Sequence, residues 1–283
     1  MKKILTILVA FFMGATASFA ATNWDSAAAV NRVNTIGKKL MTASKLPQGI
    51  TFKVSEEDHV NAYANIDKEV YVYKGLLEFV ANDQELAAVI AHEIGHIINA
   101  HCAKQGIINY GADIAASTAA TKLSSGASTA LGTGKELAML KMSRTDEYDA
   151  DLTGIDLMVK AGYDPRAMIS VLNKICENSV DVFSTHPSGI NRLMNIYDYL
   201  AYAYPAKVAS AYGTDSYANA ITAINTNVTK RNSKKNGEKK HNEKMVKLVE
   251  KRAKQMAKNT TRSDDPWTKS VTVINTLNAV TQP

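Results

Sequence analysis

Apolar residues return at helical spacing through residues 27–45, where Val30, Val33, Ile36, Leu40 and Met41 predict an amphipathic helix that Pro47-Gln48-Gly49 ends. The pattern then shifts to short β-branched and aromatic runs, Ile50 to Ser55, Val60 to Asn65 and Glu69 to Lys74, which predict two or three strands. Asn82 or Asp83 can cap the next helix, with Glu85 as a capping-box partner, and that helix is expected to run to about Cys102. Residues 106–134 are mostly Gly, Ala, Ser and Thr. With so few large side chains to bury, this stretch is expected to be mobile, whether as a weakly packed helix or a loop. Helix is expected again from Lys135 to Ala161, where Gly162 stops it, and from Pro165 to about Cys176. A turn-rich loop at residues 184–189 leads into a helix from Asn191 to about Ala203. Ala206 to Thr229 has no firm pattern; Lys230 to Lys240 reads as a solvated linker, and Asn242 to Lys258 as a basic helix with Met245, Leu248, Val249 and Met256 on one side. Many helices around a few short strands imply a mainly helical α+β fold with a small sheet.

The ends qualify this picture. Lys2 and Lys3, the apolar run from Ile4 to Met13 and Ser18-Phe19-Ala20 resemble an export signal with a small-residue cleavage site. The run is shorter than the ~20 apolar residues that span a bilayer, so residues 1–20 are expected to be removed; an uncleaved anchor is the alternative. The expected compartment is the bacterial periplasm. Residues 21–204 are then a catalytic domain and 205–283 an extension. The formal charge of +6 is unevenly spread: residues 230–262 hold thirteen Lys or Arg against Glu238, Glu243 and Glu250, a local +10 that leaves −4 elsewhere. Such a tail suits anionic membrane or envelope surfaces, or is simply a solvated extension; export argues against nucleic acid as partner. The two cysteines, Cys102 and Cys176, are expected to pair as a structural disulfide in an oxidising compartment.

The chemistry lies in His92-Glu93-Ile94-Gly95-His96. Residues four apart share a helix face, so two imidazoles can bind one zinc while Glu93 reaches a water on it. Ala88, Val89, Ile90, Ile94, Ile97 and Ile98 make this a buried helix, where two histidines and a glutamate are costly without a partner; the competing reading is a satisfied core His pair. A catalytic zinc needs a third protein ligand, and Glu147 is the best candidate. Asp151, four residues on, can accept a hydrogen bond from a ligand histidine. Asp146 and Asp149 read as solvent-facing charges. His101 is set aside, because on a continuous helix it points about 140° away from His96.

These residues, in order, resemble peptidase family M48, specifically its secreted bacterial branch tied to outer-membrane protein quality control. The matching motifs are His92 to His96, Ser143-Arg144-Thr145-Asp146-Glu147-Tyr148-Asp149-Ala150-Asp151, and Thr185-His186-Pro187 followed by Arg192, with Val60 to Ala64 and Val72 to Leu77 upstream. The resemblance implies a zincin-like metallopeptidase over residues 27–204. His92, His96 and Glu147 would hold one Zn2+ per chain, with Glu93 as general base and Asp151 behind the ligands. It also implies that His186 approaches the metal as a switch or fourth ligand and that Arg192 neutralises charge at the site. The competing readings are a solvated loop histidine and a structural ion pair. Where the family has a Pro-Gly-Gly turn this chain has Ile66-Asp67-Lys68-Glu69, which leaves the shape of the strand edge open. The expected function is zinc-dependent endopeptidase action on envelope proteins, misfolded or outer-membrane ones, with substrate added as a strand along the edge near Val60 to Tyr73. The alternative is a protease-like envelope chaperone or adaptor with a gated zinc site.

Overall fold

The computed structural model describes residues 25–46, 49–104, 142–178, 186, 189–209 and 212–261. Helix α1 (Ser26–Ala43) starts at Asp25, whose carboxylate accepts from the Ala28 N–H, and it buries Ala29, Val33, Ile36, Gly37, Leu40 and Met41. Val30, expected on that stripe, is exposed. Strands β1 (Thr51–Ser55), β2 (Ala62–Ala64) and β3 (Glu69–Tyr73) form one sheet in the order β1-β3-β2, with β1 parallel and β2 antiparallel to β3. The expected substrate edge is therefore narrower than the sequence suggested: β3 is the central strand, so of residues 60–73 only β2 forms an edge, with β1 at the opposite one. The β2–β3 turn works without glycine because Asn65 Oδ1 accepts from the Asp67 and Glu69 amides while Lys68 takes φ 61°.

Helix α2 (Lys74–Phe79) leads to α3 (Asp83–Ile98), which lies against α1, β2, β3 and two later helices. Asn82 caps α3 at the Gln84 and Glu85 amides, and Glu85 reaches back to the Ala81 N–H. Leu86, Ala87, Ala88, Ile90, Ala91 and Ile94 are fully buried along it; each large aliphatic side chain contributes roughly 1.5–3 kcal/mol by leaving water. The helix stops sooner than its apolar pattern implied. Asn99 ends it, Ala100 adopts φ 57°, and helical turns resume at His101.

Helix α4 (Arg144–Lys160) begins in a capping box, with Ser143 and Asp146 bonded to each other's backbone amides. This start signal sets the helix N-terminus at Arg144, and Gly162 (φ 73°) follows its end; residues 135–141 of the expected helix lie outside the described residues. Helices α3 and α4 touch backbone to backbone: a Cβ on Gly95 would lie 2.7 Å from the Ala150 carbonyl oxygen, and one on Gly154 would lie 2.8 Å from Met168 Cε and 3.1 Å from the Ala91 carbonyl carbon. Gly95→Ala is expected to force the helices apart and cost about 1–3 kcal/mol, read as a lower urea midpoint; unchanged stability would show that α3 and α4 can separate freely.

Helices α5 (Arg166–Glu177), α6 (Ile190–Ala203), α7 (Pro205–Val208), α8 (Asp215–Asn232) and α9 (Gly237–Thr261) complete the described fold. The expected solvated linker at 230–240 is instead the last turn of α8, a short turn and the first turn of α9. Tyr217, Ala220 and Ile224 of α8 and Met245 and Met256 of α9 join the same apolar core as α3. A mainly helical α+β fold with a small sheet is what results. Cys102 and Cys176 are both free thiols, correcting the expected disulfide: the buried Cys102 Sγ donates to the Ala64 carbonyl, 3.3 Å away. The export signal, the 106–134 stretch and most of the 184–189 loop lie outside the described residues. No helix among the described residues is long and apolar enough to cross a membrane.

Candidate metal centre

His92 and His96 lie one turn apart on α3, and their Nε2 atoms face each other at 3.0 Å. The close α3–α4 contact carries Glu147 to them, with Oε1 3.4 Å from His96 Nε2 and Oε2 3.5 Å from His92 Nε2. His186, ahead of α6, puts Nδ1 2.9 Å from Glu147 Oε1 and 3.4 Å from His92 Nε2. One ligand atom from each of the four side chains lies within 4.8 Å of the others, and all four residues are buried. Imidazole lone pairs and carboxylate oxygens crowded together out of water need a cation or protons between them, so this donor set fits a metal ion.

The electrostatics agree. Burial, with His92 and His186 beside it, holds the His96 imidazole well below its ordinary pKa, in the neutral form that binds metals. Burial alone would push His92 down, but the carboxylates of Asp151 and Glu147 raise it to about 10; the two acids favour positive charge at this ring, and a bound cation would supply it by displacing the proton. Burial would also raise Glu147, yet His186 and Arg192 keep its carboxyl well below the usual range.

Around this cluster, Asp151 Oδ1 lies 2.9 Å from His92 Nδ1. Arg192 of α6 grips Asp151 with Nε and Nη2, at 2.8 and 2.7 Å, and reaches Glu147 Oε2 with Nη1 at 2.7 Å. The guanidinium thus hydrogen-bonds Asp151 and ion-pairs with Glu147, two of the acids of α4. Glu93 is buried with Oε1 3.8 Å from His186 Nε2, while its Oε2 has no hydrogen-bond partner among the described residues. It lines a cavity of about 50 Å3 together with His92, His186, Arg192 and the apolar Leu76, Val89, Met168, Val171, Leu172 and Ile175.

Residues 27–199 match peptidase family M48. The chain belongs to peptidase family M48. Among the relatives of this M48 chain, the beta-barrel assembly-enhancing protease of Yersinia pestis is 25% identical over 181 residues, covering 57% of this chain and 37% of that protein. Metalloprotease LoiP of Escherichia coli K12 is 29% identical over 159 residues, covering 53% of this chain and 63% of LoiP. Metalloprotease YcaL of the same strain is 30% identical over 161 residues, covering 54% of this chain and 63% of YcaL. The matched segment therefore spans less than two thirds of each of these M48 relatives.

Four residues near the cluster, His101, Asp146, Asp149 and Arg252, have roles that the sequence reading did not assign. His101 was set aside on the assumption of one continuous helix; the break at Asn99 and Ala100 re-aims it, and its Nδ1 lies 3.0 Å from His96 Nδ1. Asn99 at the end of the apolar pattern is a recognised stop signal and could have revealed this. Asp146 and Asp149 are not simple solvent-facing charges either: Asp146 caps α4, and Asp149 lies 3.5 Å from His101 Nε2 and accepts from Arg252 of α9 at 2.6 Å. Arg252 is one of thirteen basic residues in its segment, and nothing local distinguishes it.

Proposed function

We propose that this M48 chain is a zinc-dependent endopeptidase in which His92, His96 and Glu147 hold one zinc ion. The observation that carries the reading is the convergence of His92 Nε2, His96 Nε2 and Glu147 Oε1 beside a buried Glu93 that opens onto an apolar cavity. Zinc, when bound, brings the pKa of water toward ~7 and polarises a scissile carbonyl. Glu93 accepts the proton of the attacking water and delivers it to the leaving amine. Asp151 orients the His92 ring through Nδ1, and Arg192 fixes Asp151 and Glu147 together. A peptide runs along β2, the marginal strand, so that its backbone is read more than its side chains. The cavity lined by Glu93 offers aliphatic walls to a side chain next to the scissile bond, and Arg192, also in its lining, is paired with Asp151 and Glu147.

Substrates on this reading are envelope proteins, misfolded or outer-membrane ones, in keeping with a relative named for enhancing β-barrel assembly. Residues 1–20 direct the chain to the periplasm, and the exposed lysines of α9 suit anionic membrane or envelope surfaces. A second reading, a protease-like chaperone or adaptor, is favoured by one observation: His186 sits inside the donor cluster, where it would occupy the position a water needs. Casein cleavage tests both. Wild-type cleavage that 1,10-phenanthroline abolishes and zinc restores supports the peptidase. A silent wild type that becomes active in His186→Ala supports the gated form, and cleavage by neither protein overturns the peptidase reading.

A further inference from the structure

We propose that α9, which lies beyond the M48-matched residues, is a working part of the metal site, with Arg252 acting through Asp149 and His101 as a positioning residue for His96. The inference rests on the zinc reading above. A histidine that ligates a metal through one ring nitrogen needs the other fixed by a partner. For His92 that partner is Asp151; for His96 it is His101, Nδ1 to Nδ1 at 3.0 Å. The donor order is consistent: His96 Nδ1–H donates to His101 Nδ1, leaving His101 Nε2–H to face Asp149 Oδ2 at 3.5 Å.

Helix α9 holds both supports of His101. Arg252 is buried, and its guanidinium donates to Asp149 Oδ1 at 2.6 Å, Thr153 Oγ1 at 2.8 Å and Asp156 Oδ2 at 3.1 Å. Thr153 Oγ1 in turn accepts from Asn99 Nδ2 at 2.9 Å, and Gln255 of α9 donates to Asn99 Oδ1 at 3.3 Å. The turn that aims His101 at His96 and the acid that faces His101 are thus both tied to one C-terminal helix. Fastening α9 needs no buried charge, since Met245 and Met256 already insert into the core. A desolvated guanidinium is costly unless paired; Nη1 and Nη2 of this one go to residues that lead to the ligand, while Nε has no hydrogen-bond partner among the described residues.

Zinc affinity of the purified full-length chain, measured by competition with a chromophoric chelator beside thermal unfolding, tests the link. His101→Ala is expected to weaken zinc roughly 10–100-fold and Arg252→Met on the order of 3–10-fold. Arg252→Lys should recover part of the loss, because an ammonium can still hold Asp149. Met245→Ala, which loosens α9 without touching the chain of bonds, should lower the melting temperature but leave zinc affinity unchanged. If Arg252→Met is too unstable to purify, Asp149→Asn breaks the same link from α4 and should weaken zinc similarly. Wild-type affinity in Arg252→Met or Asp149→Asn, or an equal loss in Met245→Ala, overturns the inference while leaving the zinc reading intact. A wild-type chain that takes up no zinc overturns both.

Discussion

Glu93→Gln is expected to lower casein hydrolysis by roughly 10²–10⁴-fold while zinc content and melting temperature stay at wild-type values. The amide has the shape of the carboxylate but cannot take a proton from water. Glu93 makes few commitments to the fold: Oε2 is unpartnered among the described residues, and Oε1 is 3.8 Å from His186 Nε2. Removing its charge therefore costs little structurally. Metal analysis and a melting curve run beside the kinetic assay separate proton transfer from metal loss. Undiminished hydrolysis by the variant would remove Glu93 from the reaction.

Glu147→Ala should have the larger combined effect, losing stoichiometric zinc and destabilising the apo-protein. Its carboxylate is fully buried and faces His92, His96, His186 and Arg192 at once. Deleting one side of such a desolvated pair leaves the other charge uncompensated and costs about 3–5 kcal/mol; Asp151, still bonded to Arg192, keeps the expected loss at the lower end of that range. Urea unfolding of chelator-treated wild type and variant isolates the ion-pair loss, and elemental analysis of the untreated proteins reads the metal. A variant that still carries one zinc per chain would show that Glu147 is not a ligand.

The meeting of His92, His96 and Glu147 was legible for different reasons. The two histidines are four apart on a helix, a local rule that needs no tertiary information. Glu147 was reached through Ser143 to Asp151, where Glu147 and Asp151 lie four apart on one helical face. The sheet's strands were legible from their β-branched runs, but not their order, because pairing is long-range; the substrate edge was overdrawn for that reason. His101 was lost to a single backbone angle at Ala100, a residue with no intrinsic preference for positive φ. Lys230 to Lys240 looked like linker because its charges hid the helical backbone. Arg252 could not be found at all, since its role depends on partners about a hundred residues earlier in the chain.

The grip of Arg192 on Asp151 and Glu147 gives synthesis order a meaning. The two histidines are made early, but the guanidinium that locks the acids together arrives only when α6 is translated and docks. A chain cut before Arg192 carries the His92–His96 motif without the contacts that hold Asp151 and Glu147 together.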